Sequence, residues 1–500
     1  MEFFHLLGSG AKFNKQRFQN DVEIFEKTNN TTVNVTKDVE TKNELLNELD
    51  FFKTTDKIRE DNKKKSKAIK KEQEELVENT LKKGQQLITE KDISTFRKEH
   101  NIKVYGTDVP KPFETFLDLT QAPYNLSDNL LKNLVQHKYN SPTPIQMQAI
   151  PIILKERDLM ACAPTGSGKT LAYLLPILQE LKKHEKVGYR ALIIAPTREL
   201  VQQIDRELSK LCNGTKIKTH LLTKPMTAAE KAQLPEQRQK YDILISTPMR
   251  LIYAIKEKEI ELNQVKHLIL DEADKLLELG FLEQTDEIFA AFNGSIGIRK
   301  AMFSATFSST VEQLATTVMN QPIRIVIGSK NAATTTIKQQ LLFTGNEAGK
   351  MIALRQYIKK GIKPPVLIFV QSIERAKELF KELVFDGINV EVIHADRTKA
   401  QREQIIDQFR LGKIWVLIAT ELMARGLDFK GVNLVINYDF PQTVQSYIHR
   451  IGRTGRAGRQ GEAITYFTKD DIEYLRTIVN VMKESGCDVP DWMLSLKKPR

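Results

Sequence analysis

Short apolar runs alternate with longer amphipathic segments along most of the chain after residue 110. The runs are nearly continuous and rich in Val, Ile and Leu, which is typical of parallel strands covered on both faces. The segments between them, such as Glu199–Leu211 and Leu276–Ala291, have helical spacing. The predicted strands are Asp158–Cys162, Ala191–Ala195, Asp242–Ser246, His267–Leu270, Lys300–Ser304, Ile323–Ile327, Gln340–Thr344, Val366–Val370, Val390–His394, Trp415–Thr420, Leu434–Asn437 and Ala463–Phe467. The pattern predicts an α/β protein with doubly wound parallel sheets.

A small polar stretch, Gly328–Thr336, interrupts the alternation and predicts a linker between two such domains. The residues before the first domain have no sustained period and are dense in Lys and Glu, so we expect a largely disordered extension. That extension is either a solvated charged tail or an arm that touches RNA or a partner. The predicted divisions are an N-terminal extension (1–112), a first domain (113–329), a linker (330–337), a second domain (338–487) and a basic tail (488–500).

Composition narrows the class of protein. The 500 residues carry a formal net charge of +12 with pI near 9.2, which favours a polyanionic partner such as nucleic acid. No apolar run reaches the roughly 18–20 residues that cross a membrane. The three cysteines have neither metal-site nor redox-motif spacing, which is typical of a reducing compartment. We therefore expect an intracellular protein with no membrane partner, and we expect a monomer.

A phosphate-binding loop is the strongest local signal. It follows the predicted strand Asp158–Cys162 and precedes an apolar helix. Its residues are Ala163, Pro164, Thr165, Gly166, Ser167, Gly168, Lys169 and Thr170. The glycines let backbone N–H groups approach phosphates, and Lys169 adds a fixed positive charge near them. The Thr170 hydroxyl suits Mg²⁺, so the loop predicts a nucleotide cofactor with Mg²⁺.

Two acidic residues, Asp271 and Glu272, come directly after the predicted strand His267–Leu270. The carboxyl ends of parallel strands form the ligand-binding edge of such sheets. Asp271 is therefore placed to hold Mg²⁺, and Glu272 to orient or deprotonate an attacking water. The sequence thus predicts hydrolysis of the nucleotide.

Further motifs that follow one another along the chain indicate a protein family. Asp271–Asp274 reads Asp-Glu-Ala-Asp, and the chain resembles the DEAD-box RNA helicases over residues 113–487. The other motifs that carry the resemblance are Pro142–Gln146, Pro196–Leu200, Thr247–Leu251, Ser304–Thr306, Ala419–Asp428 and His449–Arg456. The resemblance implies two RecA-like domains, ATP as the nucleotide and RNA as the partner.

The resemblance also assigns roles outside the phosphate loop. The amide of Gln146 matches the N6 and N7 edge of adenine, and Phe116 would stack on the base, with Phe113 as its rival. Arg453 and Arg456 would complete the ATP site when the second domain closes. Asp428 would contact ATP or link the domains. Ser304 and Thr306 would couple hydrolysis to work on RNA.

RNA contacts implied by the resemblance go to phosphates and 2′-hydroxyls and carry no sequence information. The candidates are Thr197, Arg198, Thr247, Arg250, Gln371, Arg402 and Thr420. The chain departs from the family pattern at Lys138, Ala163, Ala395, Lys399 and Glu421, and it has no Gly-Gly pair between Arg198 and Thr247.

Together with the apolar island Leu45–Phe52, these departures resemble the Rok-type fungal helicases of small-subunit ribosome biogenesis. That resemblance implies pre-ribosomal RNA, assembly factors as protein partners, and a nucleolar location in the nucleus. We expect an RNA-dependent ATPase that locally unwinds or remodels RNA. The alternatives are an ATP-gated RNA clamp or assembly scaffold with little unwinding, and a DNA helicase.

Overall fold

Two separate sheets contain the strands that the apolar runs predict. The structure, a computed structural model, describes residues 89–223, 240–292, 297–328, 336–420, 431–456 and 459–496, which belong to one unit, Lys83–Arg500. The island Leu45–Phe52 and the last four residues lie outside the described ranges. Within those ranges, no helix is long and apolar enough to span a bilayer.

The first sheet has eight strands. They are β1 (Ile102–Tyr105), β2 (Leu159–Cys162), β3 (Ala191–Ile194), β4 (Thr219–Leu222), β5 (Ile243–Ser246), β6 (His267–Asp271), β7 (Arg299–Ser304) and β8 (Ile323–Ile327). Their spatial order is β1-β8-β2-β7-β6-β3-β5-β4, and every pairing is parallel except β1 with β8. The parallel pairs place the ends of β2, β3, β5 and β6 at one edge, where the sequence puts its motifs.

Helices connect these strands. They are α1 (Glu90–Glu99), α2 (Asp128–Gln136), α3 (Pro144–Leu154), α4 (Lys169–Leu181), α5 (Arg198–Leu211), α6 (Pro248–Lys256), α7 (Ala273–Leu276), α8 (Leu279–Ala290) and α9 (Ser309–Val318), with a short 3₁₀ helix at Asp118–Thr120. Side chains alternate along β2, so that Leu159 and Ala161 enter one apolar cluster and Met160 and Cys162 enter another. Both faces of the sheet are therefore buried, as the continuous apolar runs require.

The second sheet has six parallel strands in the order β11-β12-β10-β13-β14-β9. They are β9 (Ile337–Gly345), β10 (Val366–Val370), β11 (Val390–Ile393), β12 (Val416–Thr420), β13 (Leu434–Asn437) and β14 (Gly461–Thr468). The helices are α10 (Glu347–Lys359), α11 (Ile373–Phe385), α12 (Lys399–Arg410), α13 (Val444–Ile451), α14 (Ile472–Glu484) and α15 (Asp491–Leu494). The prediction of two parallel-sheet domains is confirmed.

A helix and an edge strand that pack on the first sheet lie upstream of residue 113, where the sequence predicts the domain boundary. β1 pairs in antiparallel register with β8, from Ile102 opposite Ile327 to Tyr105 opposite Arg324, and Phe96 of α1 packs in the first core. The apolar pattern did not predict β1 and β4, because these two strands lie at the edges of the sheet and each has only one fully buried position. We propose that α1 and β1 belong to the first domain rather than to the extension.

The carboxylate of Asp242 ties three segments together at the start of β5. It is fully buried, and it accepts hydrogen bonds from Arg190 Nη2 at 2.7 Å, Lys218 N at 2.9 Å and Glu185 N at 3.2 Å. Asp242 thus supplies the counter-charge for Arg190, which is itself buried.

Replacing Asp242 by Ala is expected to lower the free energy of unfolding by about 3–5 kcal/mol, since the buried guanidinium of Arg190 then keeps only the exposed carboxylate of Glu185 as its counter-charge. Urea unfolding of the whole chain measures the change. Asp386→Ala is the matched control, because it breaks an exposed pair with Arg355 that is expected to contribute less than about 1 kcal/mol. Equal losses in the two variants would contradict the assignment.

Candidate functional site

The phosphate loop joins β2 to α4 as the sequence predicts. Lys169 Nζ donates to the carbonyl oxygens of Ala163 at 2.7 Å and Pro164 at 3.0 Å, so the loop wraps around the ammonium group. Gly168 has φ of 88°, and a Cβ built there would lie 2.4 Å from Gln146 Nε2. Only glycine therefore suits position 168, because it combines a left-handed backbone with close packing.

Ala163 stands where the family pattern begins with glycine. Its side chain is buried, and its N–H donates to Ser304 O at 3.0 Å. The loop thereby continues the pairing of β2 with β7, and the methyl group fits at this position.

The acidic residues at the end of β6 lie in the same cavity as Lys169. Asp271 Oδ2 accepts a hydrogen bond from the Tyr173 hydroxyl at 2.9 Å, and Oδ1 accepts one from Glu272 N at 3.0 Å. Burial, together with the neighbouring Glu272 charge, raises the pKa of Asp271 to about 6, and the Lys169 charge opposes this shift. Burial lowers the pKa of Lys169, with Asp271 opposing. The charges of the Asp271 carboxylate and the Lys169 ammonium group therefore compensate each other only in part. An additional cation would stabilise the Asp271 carboxylate.

A cavity of about 510 Å³ connects these groups to the second domain. Its lining includes Thr165, Gly166, Gly168, Lys169, Thr170, Asp271, Glu272, Arg453 and Arg456. Two buried oxygen atoms beside it, Ser167 Oγ and Glu272 Oε2, have no hydrogen-bond partner within the described part of the chain. Buried polar atoms are normally paired, so this donor and acceptor set fits a triphosphate with a divalent cation and a water.

The two arginines follow α13 and are held by the backbone of their own turn. Arg453 Nε donates to His449 O at 3.0 Å, and Arg456 Nε donates to Gly452 O at 2.9 Å. Each anchor fixes the orientation of a guanidinium group that lines the cavity.

The two domains touch at the phosphate loop. The Thr165 hydroxyl donates to Gly452 O at 3.0 Å, across 287 positions of sequence. A Cβ built on Gly452 would lie 2.1 Å from Thr165 Oγ1, so a larger residue there would push the loops apart. The aliphatic stem of Arg456 lies over Gly166, with its Cγ 3.4 Å from a Cβ built on that glycine.

A second contact between the domains converges on Asp274. Its Oδ2 accepts a hydrogen bond from the Thr306 hydroxyl at 2.5 Å and lies 3.2 Å from His449 Nε2. Ser304 Oγ accepts from Thr306 N at 3.3 Å, and Ser304 is also the residue whose carbonyl bonds the phosphate loop. The predicted coupling residues Ser304 and Thr306 therefore lie between the phosphate loop and the second domain.

The two phenylalanines predicted for the base of the nucleotide lie in the first core. Phe116 is only 5% exposed and packs in the first core beside Phe113, and neither phenylalanine lines the cavity. Tyr139 lines it instead, together with Gln146. Phe116 is a core residue because its segment packs against α3. Phe113 N, three residues before it, donates to Met147 O of that helix at 3.2 Å.

Gln146 is buried and already makes two bonds within the protein. Its Nε2 donates to Gly168 O at 3.0 Å, and its Oε1 accepts from Thr143 N at 3.0 Å. A primary amide has a second donor and a second lone pair, so Gln146 keeps hydrogen-bonding capacity for the predicted contact with adenine. The existing bonds fix the amide plane and link it to the phosphate loop.

Most residues predicted to contact RNA follow the ends of parallel strands. Thr197 and Thr247 are N-caps of α5 and α6, Arg198 is exposed at the first position of α5, Gln371 is exposed after β10, and Thr420 ends β12. Asp439 accepts a hydrogen bond from Gln371 N at 2.9 Å and holds that turn. The predicted Asp428 lies outside the described residues, as does Glu421.

Two arginines in this set have protein partners. Arg250 is 9% exposed, and its guanidinium forms an ion pair with the buried Glu259. It therefore packs inside the domain rather than presenting its charge at the surface. Arg402 Nη1 lies 2.9 Å from Glu199 Oε1, so this residue, which was predicted to contact RNA, also links the second domain to α5 of the first.

The residues of the site that the sequence analysis did not indicate include Tyr139, Tyr173 and His449. Tyr173 lies one turn of α4 beyond Lys169, a spacing that could have indicated its contact with Asp271. His449 begins a motif that was noted only for its arginines. Tyr139 lies seven positions before Gln146 and carried no signal of its own.

Two parallel-sheet domains that meet over one phosphate loop, with carboxylates from the first and arginines from the second, define a nucleoside-triphosphate-driven motor of the RecA type. The pattern of the DEAD/DEAH box helicase family matches residues 143–314, and that of the helicase conserved C-terminal domain matches residues 349–458. The chain belongs to the DEAD-box family of ATP-dependent RNA helicases.

Similar proteins support this membership over nearly the whole chain. The "ATP-dependent RNA helicase ROK1" of Kluyveromyces lactis is 46% identical over 519 residues, covering 99% of this chain and 89% of the relative. The "Probable ATP-dependent RNA helicase DDX52" of Mus musculus is 52% identical over 411 residues, covering 81% and 68%.

Solved structures agree with the fold. S. cerevisiae Dbp5 bound to RNA and ADP BeF3 matches with a TM-score of 0.66 and 29% identity, covering 76% of this chain and 97% of that one. Mss116p bound to ssRNA and AMP-PNP matches with a TM-score of 0.67 and 27% identity, covering 76% and 81%.

Proposed function

We propose that the chain binds ATP with Mg²⁺ over the phosphate loop and hydrolyses it to ADP and phosphate in order to unwind short RNA duplexes or remodel structured RNA. The contact between the phosphate loop and the turn after α13 supports this proposal most directly. Thr165 meets Gly452, and Arg456 lies over Gly166, so the hydrolytic site needs both domains. ATP binding then favours the closed arrangement by its differential affinity for that arrangement.

In this proposal each residue at the phosphate end has a defined task. Lys169 neutralises phosphate charge, Glu272 orients or deprotonates the attacking water, and Arg453 and Arg456 stabilise charge that develops in the transition state. Thr170 and Asp271 would hold Mg²⁺, which when bound supplies charge neutralisation at the phosphate oxygens. The raised pKa of Asp271 supports this assignment, as does Ser167 Oγ, which has no hydrogen-bond partner among the residues that the structure describes.

RNA would lie along the edge formed by the ends of β3, β5, β10 and β12. The helix N-termini at Thr197 and Thr247 offer backbone N–H groups to phosphates, and Arg198 offers a charge. Gln371 and Thr420 would contact the same strand from the second domain. Such contacts bind backbone groups and are independent of sequence.

The RNA in question would be pre-ribosomal RNA, handled in the nucleolus together with assembly factors of the small subunit. Support comes from the resemblance to the Rok-type fungal helicases. The Kluyveromyces lactis relative, which aligns over nearly the whole chain, has the name ROK1.

A strand-displacement assay tests the proposed reaction. The unaltered chain is expected to displace one strand of a short RNA duplex with a single-stranded overhang when ATP is present, and to leave the matching DNA duplex intact. Glu272→Gln is expected to bind ATP and RNA but to turn over at least about 10²-fold more slowly, because the general base is lost. Stable retention of single-stranded RNA with ATP but no displacement would contradict unwinding and support the RNA-clamp alternative.

A further inference from the structure

The cavity that holds the phosphate loop continues between α4 and α5. Beyond Lys169 and Thr170 its walls are Leu171 and Leu174 of α4 and Leu200 and Leu211 of α5, with Tyr139 beside them. An apolar compartment next to a phosphate site has the properties of a site for the flat base of a nucleotide. One carboxylate, that of Glu207, lies in the wall of this compartment.

Glu207 is engaged on both of its oxygen atoms. Oε2 accepts a hydrogen bond from the Tyr139 hydroxyl at 2.7 Å, and Oε1 accepts one from Lys210 Nζ at 2.5 Å. Burial and the neighbouring Glu207 raise the pKa of Tyr139, so the phenol keeps its proton and remains a donor. At its other end, Tyr139 N donates to Leu134 O at 2.9 Å. The ring is thus fixed through its backbone and through its hydroxyl.

We propose that Glu207 is a positioning residue that holds the Tyr139 ring against the purine of the bound nucleotide. This inference rests on the proposed function, because it requires that the cavity binds ATP. An aromatic ring gains about 0.5–1.5 kcal/mol from stacking only in a suitable orientation. A tether that fixes the orientation in advance lowers the cost of ordering the side chain on binding.

The purine end and the phosphate end can be tested separately. We expect Tyr139→Ala to weaken ADP binding about 5- to 10-fold, because the stacking face is lost. Tyr139→Phe and Glu207→Ala should each weaken ADP binding about 2- to 4-fold. The variant with both changes should bind ADP as well as either single variant, because each change removes the same hydrogen bond. Glu207→Gln, which keeps an acceptor, should restore binding.

Two controls separate positioning from damage to the fold. Tripolyphosphate has no base, and its affinity should be the same in all these variants. Lys210→Ala removes the other partner of Glu207 and should leave ADP affinity unchanged. In steady state, the effect should fall on the KM for ATP, with kcat preserved.

Additive losses in the double variant, or parallel losses of ADP and tripolyphosphate binding, would overturn the inference while leaving the proposed function intact. Absence of ADP binding in the unaltered chain would overturn both.

Discussion

Replacing Lys169 by Ala will reduce ATP turnover at least about 10²–10³-fold, the loss that follows removal of one preorganised charge at a reacting phosphate. The ammonium group is enclosed by the carbonyls of Ala163 and Pro164 and lies in the cavity with Asp271. Without it, two acidic side chains and a triphosphate would share one cavity with less positive charge to balance them. Lys169→Met isolates the charge, since it keeps most of the volume of the side chain.

Turnover is measured as phosphate release with saturating RNA. Lys103→Ala, which changes an exposed lysine on the edge strand β1, is the control and should retain full activity. The variants at position 169 should unfold thermally close to the unaltered chain, because burial already disfavours the charged form of this lysine. Normal phosphate release from Lys169→Met would refute the assignment of the loop.

Replacing Arg456 by Ala will lower kcat about 10³–10⁵-fold, which is the effect of an arginine that stabilises the transition state of phosphoryl transfer. Arg456 is anchored at Gly452 O and lies over Gly166, so it reaches the phosphate loop from the second domain. Arg453→Ala should have an effect of similar size, since Arg453 lines the same cavity from a more buried position. Arg456→Lys should recover only part of the activity, because an ammonium group lacks the planar fork of a guanidinium.

The comparison of kcat with ATP affinity makes this prediction specific. An arginine that acts in the transition state lowers kcat and leaves ATP affinity nearly unchanged. Arg355→Ala is the control. It removes a second-domain arginine whose partners are Glu382 on α11 and Asp386, the residue that follows this helix. A rise in KM with unchanged kcat would show that Arg456 serves binding alone.

The sequence predicted the parts of the fold that depend on local pattern. Buried parallel strands are continuous apolar runs, so β3, β5, β8 and β10 were located within a residue of their observed ends. The phosphate loop was equally clear, since its glycines and Lys169 are fixed by one short segment. β1 and β4 were missed because a strand of four residues at a sheet edge needs little apolar character.

Side-chain partners were harder to predict, because they depend on segments far apart in the chain. Phe116 and Tyr139 are both aromatic residues upstream of Gln146, and only the packing of the first core shows that Tyr139 lines the cavity. Arg250 was predicted to contact RNA, yet its partner Glu259 lies nine positions away, beyond the end of α6. Likewise, nothing near Arg402 in sequence indicates that it meets Glu199 of the other domain.

Helix α5 has a mechanical consequence. Its 14 residues form one rigid rod about 21 Å long. The leading end carries Thr197 and Arg198, which we propose contact RNA, and Glu199, which meets Arg402 of the second domain. Two turns further along, Glu207 holds Tyr139. Because a rigid helix cannot shift at one end alone, we propose that a displacement of α5 at Glu207 would also move the residues at its N-terminal end.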